Sequence, residues 1–147
     1  MIRICSILTM TLGGMIYVLW RPDSLNMFSW FSAMGMGAPV ATMRHWAAPY
    51  TAILPSWTYM SLPQALWLFS GCLAVHSVWR EPRCRQEQCW MAVVLLLAAG
   101  GELGQAVGIV EGVFDVTDLA LIVVAFLAAL TIAFASGRHI ETKRAAI

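Results

Sequence analysis

Four long apolar stretches limit what this chain can fold into more than any other feature. They cover about residues 4–20, 62–79, 89–110 and 119–136, and between them they hold a single charged residue, Glu102. A helix crosses a bilayer with roughly 20 apolar residues, within a range of about 17–25. In lipid each span has to satisfy its own backbone polar groups, which helices do. The runs are continuously apolar rather than alternating, so the strand pattern of a membrane barrel is absent. The expected fold is all-α: one integral membrane domain over 1–147, built as a four-helix bundle. Composition agrees, with 60% hydrophobic and 12% charged residues against about 45–50% and about 25% in soluble domains. Nine Lys/Arg against eight Asp/Glu give a net charge of +1. No basic field is available for nucleic acid, and none is expected as a partner.

Basic residues near span ends set the orientation. One side of a four-span chain carries Arg3, Arg80, Arg83, Arg85, Arg138, Lys143 and Arg144, and the other only Arg21 and Arg44. Both termini are therefore expected in the cytoplasm, and the turn between the third and fourth spans faces outward. Trp20, Trp79 and Trp90 fall at span ends, where interfacial aromatics anchor. Trp67, inside the second span, is expected to pack. The first apolar run exceeds the roughly 7–15 residues of a signal-peptide core and lacks a small-x-small cleavage site, so it is read as a retained span.

About 40 residues separate the first two spans, longer than a compact bundle normally uses, which implies hidden structure or function. The segment 27–34 is apolar but too short to cross. Gly35, Gly37 and Pro39 are expected to break it, and Pro49, Pro55 and Pro63 punctuate the approach to the second span. An amphipathic or re-entrant segment in the outer interface is the physical compromise, packed as a lid or facing lipid as a lip.

Glu102 is the most informative side chain. It lies some 13 residues into the third span, roughly 20 Å along a helix rising 1.5 Å per residue. A charge at a span centre costs about 2.5–3.5 kcal/mol on insertion scales, so this carboxyl needs a partner, a wet pocket or a proton. Gln105, three residues on, shares its face. Gln105 satisfying Glu102 inside the bundle and a binding pocket are both consistent with that spacing. Gly100, Gly104 and Gly108 repeat at four-residue spacing on the other side of the helix, a pattern that lets a partner helix approach. Glu111 is out of phase with Glu102 and is read as solvated. Gly112 is the expected helix stop.

Asp115 and Asp118 flank the start of the fourth span. Acids there favour the positive end of the helix dipole, and Asp115 or Thr117 can cap its exposed N–H groups. The short turn also lets Glu102, Gln105, Asp115 and Asp118 share one outward-facing pocket.

Glu102-x-x-Gln105, followed by Phe114-Asp115-x-x-Asp118-Leu119 opening the next span, resembles the signature of VanZ-like membrane proteins over roughly residues 62–130. The family's usual opening segment is not recognisable in the first span. The asparagine and glycine often found after the second acid are replaced by the apolar run 121–129. The resemblance implies a small integral protein of the bacterial cytoplasmic membrane and cell envelope, with Glu102, Gln105, Asp115 and Asp118 at the family's polar positions. It implies no defined reaction.

No other motif competes. Of the four cysteines, Cys5, Cys72, Cys84 and Cys89, the last two lie on the cytoplasmic side, lack paired zinc-site spacing and are read as reduced thiols. His76, near the inner end of the second span, is expected to bond a neighbour. His45 beside Arg44 could meet a headgroup phosphate. His139 is read as solvated, and the nine methionines as packing material. No cofactor or metal is expected. The functional expectation is binding of a membrane lipid or membrane partner at the outward polar pocket. Two alternatives are an enzyme acting on a lipid-linked envelope intermediate through Glu102, and a structural subunit docking through Gly100, Gly104 and Gly108.

Overall fold

The computed structural model describes residues 1–79, 84–110 and 113–145, with side chains described as far as residue 136. Among these residues it is all-helical: α1 (Ile2–Trp20), α2 (Asn26–Ala33), α3 (Gly37–Ala47), a 3-10 turn (Ala48–Ala52), α4 (Ser56–Met60), α5 (Leu62–Val78), α6 (Arg85–Ala106) and α7 (Val116–Ala145). Three helices are long and apolar enough to cross a membrane: α1, α6 and the segment Val116–Ser136 of α7. The stretch read as a second span forms α5, which has 17 residues and so measures about 25 Å at 1.5 Å per residue. It is apolar but shorter than the other three.

α5 is the centre of the structure, and α1, α6 and α7 pack around it. Leu68 and Cys72 of α5, Met91 of α6, and Ile122, Ala129 and Ala133 of α7 form the buried core. The outward faces are apolar as well. Ile7 and Leu8 of α1, Leu96 and Leu97 of α6, and Val124 and Leu127 of α7 are all more than half exposed. Helices apolar all round are what a lipid surrounding requires.

The closest helix approach joins α1 to α5. Ser6 Oγ donates to the Ser70 carbonyl (2.9 Å), and Ser70 Oγ donates back to the Ser6 carbonyl (2.7 Å). Further along, a Cβ at Gly13 would stand 2.8 Å from Trp67 Nε1 and 3.1 Å from the Pro63 carbonyl oxygen. Trp67 therefore packs, against Gly13 and against the Tyr17 ring, 5.1 Å between centroids. The small residues at this α1–α5 contact are thus Ser6, Gly13 and Ser70, while Gly71 lies against Val94 of α6. α6 ends at Ala106, so Gly108 is not on the helix. It stands at φ +73 in the following turn. A left-handed position suits glycine and stops the helix, whereas the apolar run continues to Val110. Ile109 and Val110 fold back to donate to the Gly104 carbonyl, and Val110 covers Gly104. Of the expected stripe, Gly100 alone is on the helix with open space beside it. Glu111 and Gly112 lie outside the described residues.

The long first loop holds α2, α3, the 3-10 turn and α4. Gly35 (φ +76) is its break. Gly37 and Pro39 instead open α3, because proline is tolerated in a first helical turn, where its missing N–H has no intrahelical partner. Arg44 fixes the loop to α1. Its guanidinium donates to the carbonyls of Val18 (2.6 Å) and Arg21 (2.8 Å), and lies 4.6 Å from the Phe28 ring centroid. Arg44 Nη2 also meets Asp23 at 2.8 Å. A basic side chain on the last carbonyls closes a helix that no glycine caps. Arg44→Ala is expected to lower stability by about 2 kcal/mol, the scale of hydrogen bonds from a charged donor. Arg44→Lys should restore only part, since one ammonium cannot serve both carbonyls in a fork. Asp23 is 81% exposed, so Asp23→Asn should change stability by less than about 1 kcal/mol. Thermal unfolding in detergent checks this series, and Arg44→Ala equal to the parent would contradict it.

At the far end of α5 and the start of α6, His76 Nδ1 lies 2.6 Å from Glu87 Oε1, with both side chains buried. The expected neighbour of His76 is thus an acid from a segment that reads as loop in the sequence. α6 begins earlier than its apolar run, at Arg85, and turns Glu87 inward.

Candidate functional site

The site forms where five chain ends meet: the C-terminal ends of α1, α4 and α6, and the N-terminal ends of α5 and α7. A cavity of ≈ 420 Å³ there is lined by Arg21, Met60, Gln64, Glu102, Gln105, Val113, Asp115 and Asp118. All four residues singled out in the sequence face it. Glu102 and Gln105 come from the last turns of α6, and Asp115 and Asp118 from the turn that begins α7. Glu102 therefore stands close to a helix end, about 6 Å from it at 1.5 Å per residue, rather than deep in the span.

Each acid is held differently. Asp115 is the N-cap of α7: its Oδ1 accepts the Thr117 N–H at 2.8 Å, satisfying a donor left over at the helix start. Asp118, in the first turn, benefits from the positive end of the dipole, but its Oδ1 is buried without a hydrogen-bond partner. Glu102 is 3% exposed. Its carboxyl interacts with the Gln64 side chain and the Asp115 backbone and lies within electrostatic reach of the Asp115 and Asp118 carboxylates. Its Oε2 is buried without a partner. Gln105 lines the wall and does not satisfy that oxygen.

Spacing within the third and fourth spans does not reveal the other wall. Arg21, just past α1, donates through Nη2 to the Met60 carbonyl (2.8 Å), and its guanidinium lies 5.1 Å from the Tyr17 ring centroid. Its Nε is buried without a partner. Among the described residues Arg21 makes no ion pair within 4 Å of an acid. Gln64, in the first turn of α5, donates to the Ala98 carbonyl at 3.3 Å and bridges α5 to α6. A glutamine two residues into an apolar helix is a signal visible in the sequence. Arg21 carries none beyond its place at a span end.

The arrangement gathers around one space three residues that each carry an unpartnered polar atom: a carboxylate oxygen of Glu102, one of Asp118, and the Nε–H of Arg21. Such atoms are costly to leave buried, at about 1–3 kcal/mol each and more for charged groups. The cavity is lined by acids on the α6 and α7 side and by a guanidinium on the α1 side. Among the described residues no group of three His, Cys, Asp or Glu side chains is placed to hold a metal ion. His45 is exposed beside Arg44, whose hydrogen bonds are spent on α1 carbonyls. No protein-family model matches the chain, and neither a curated protein nor a solved structure matches it.

Proposed function

We propose that the chain is a VanZ-like integral protein of the bacterial cytoplasmic membrane that binds a lipid through the polar cavity at the outer end of its bundle. The observation that carries this reading is that Glu102, Asp118 and Arg21, each with a buried and unpartnered polar atom, all line one ≈ 420 Å³ cavity. That volume falls within the roughly 300–1,000 Å³ of small-molecule sites. In this reading α1, α5, α6 and α7 are four spans with both termini cytoplasmic, following the excess of Arg and Lys on that side. α5 spans despite its length, by local thinning of the bilayer around a helix sheathed on several sides by protein. Trp30, Trp46, Tyr50 and Trp57 of the first loop are exposed and suit the outer interface.

Mass spectrometry of the intact protein, released gently from detergent, tests the reading. The parent is expected to retain lipid, and Glu102→Ala to lose most of it while staying monodisperse. Equal retention of every lipid class by the two proteins would remove the proposal.

A further inference from the structure

The cavity's charges specify more than polarity. Among the described residues its walls carry three carboxylates and one guanidinium. One carboxylate oxygen, Asp115 Oδ1, is already engaged by Thr117. The unpartnered acceptors, Glu102 Oε2 and Asp118 Oδ1, belong to side chains from the ends of α6 and α7. The unpartnered donor, Arg21 Nε, comes from beyond α1. A simple anion would gain Arg21 but meet an excess of negative charge. A bare metal cation would lack a three-ligand cluster among the described residues and would face Arg21. A neutral polar molecule would leave the charged atoms poorly compensated. One chemistry meets both walls: a molecule with a cationic N–H donor at one end and an anionic oxygen at the other.

We infer that the cavity takes a zwitterion bearing a primary ammonium and an anionic phosphate or carboxylate oxygen, with phosphoethanolamine as its membrane-borne form. The ammonium N–H groups meet the Glu102 and Asp118 carboxyl groups, and the anionic oxygen meets the Arg21 guanidinium. This rests on the lipid-binding reading above and narrows it. Three N–H donors distinguish ethanolamine from choline, whose quaternary nitrogen has none to give to an orphaned oxygen. Charge-assisted bonds of this kind are about twice as strong as neutral ones. The selectivity therefore resides in hydrogen bonding rather than in charge, since both headgroups carry the same formal charges.

The test uses the full chain in nanodiscs of phosphatidylcholine, titrated with short-chain phosphatidylethanolamine, phosphatidylglycerol or further phosphatidylcholine. Binding is read by mass spectrometry of the intact complex. Phosphatidylethanolamine is expected to bind at least about tenfold more tightly than phosphatidylcholine, about 1.4 kcal/mol. The preference should vanish in Glu102→Gln and Asp118→Asn. Arg21→Gln should weaken phosphatidylethanolamine and phosphatidylcholine alike. Soluble O-phosphoethanolamine is added as a competitor. Competition assigns recognition to the headgroup alone, failure to compete assigns it to the lipid, and both results support the zwitterion. The parent protein's ranking of the lipids does not depend on whether any variant folds. Equal binding of choline and ethanolamine lipids, or tighter binding of phosphatidylglycerol, with Glu102 still required, overturns the zwitterion and leaves lipid binding standing. Loss of all Glu102-dependent lipid binding removes both. An ethanolamine preference that survives Glu102→Gln and Asp118→Asn in folded protein places it outside this cavity and overturns the inference.

Discussion

Glu87→Ala lowers the unfolding free energy of the detergent-solubilised protein by about 3 kcal/mol, the low end of the cost of breaking a buried pair by removing one partner. The expectation rests on depth and distance. Glu87 is 2% exposed and His76 7% exposed, and their hydrogen bond of 2.6 Å is a short one. The pair ties the last turn of α5 to the first turn of α6. His76→Ala should cost a similar amount. The double replacement should cost less than the sum, with a coupling of about 0.5–3 kcal/mol for groups in direct contact. Additive effects of the two single changes would show that the contact contributes nothing to stability.

Gly13→Ala is the second large effect, and its neighbour supplies the control. The added methyl at Gly13 would meet the edge of Trp67 at 2.8 Å and the Pro63 carbonyl oxygen at 3.1 Å. The indole can shift, but a backbone carbonyl in the first turn of α5 cannot move without the helix. Overpacking of this kind costs about 1–3 kcal/mol. At Gly14 the same methyl meets nothing within 4 Å. Gly14→Ala should be neutral or slightly stabilising, through alanine's better helix propensity. A shared melting temperature for the two variants would contradict the close α1–α5 contact.

The spans were the most legible part of the fold, because an uninterrupted apolar run suffices to identify a helix of this length. Their ends were less so. Residues 107–110 are as apolar as the helix before them, and only the left-handed backbone of Gly108 stops α6. At the other end, Arg85 to Gln88 have the polarity of a loop. A sequence alone does not distinguish an acid paired with a buried histidine from one in water. Four cavity residues were readable because they are local: Glu102 and Gln105 share a helix face, and a short turn brings Asp115 and Asp118 alongside. Arg21 and Met60 were not, because they reach the cavity only when α1 and α4 pack against α5, more than 30 residues apart along the chain from Glu102. The glycines at 100, 104 and 108 illustrate a related point, since Gly108 lies beyond the end of α6. A four-residue spacing marks a possible contact, but whether a second helix fills it depends on where the first helix ends.

Arg44 and Arg21 act in series. The first grips the carbonyls of Val18 and Arg21, and the second grips the carbonyl of Met60, so one guanidinium holds the backbone of the residue that carries the other. The hydrogen bonds thus link the loop to the cavity wall in one chain. Prying α3 away from α1 would slacken the peptide that carries Arg21, the one cation among the described residues lining the cavity, and by thermodynamic reciprocity any ligand that bound Arg21 differently in the two states would shift the loop.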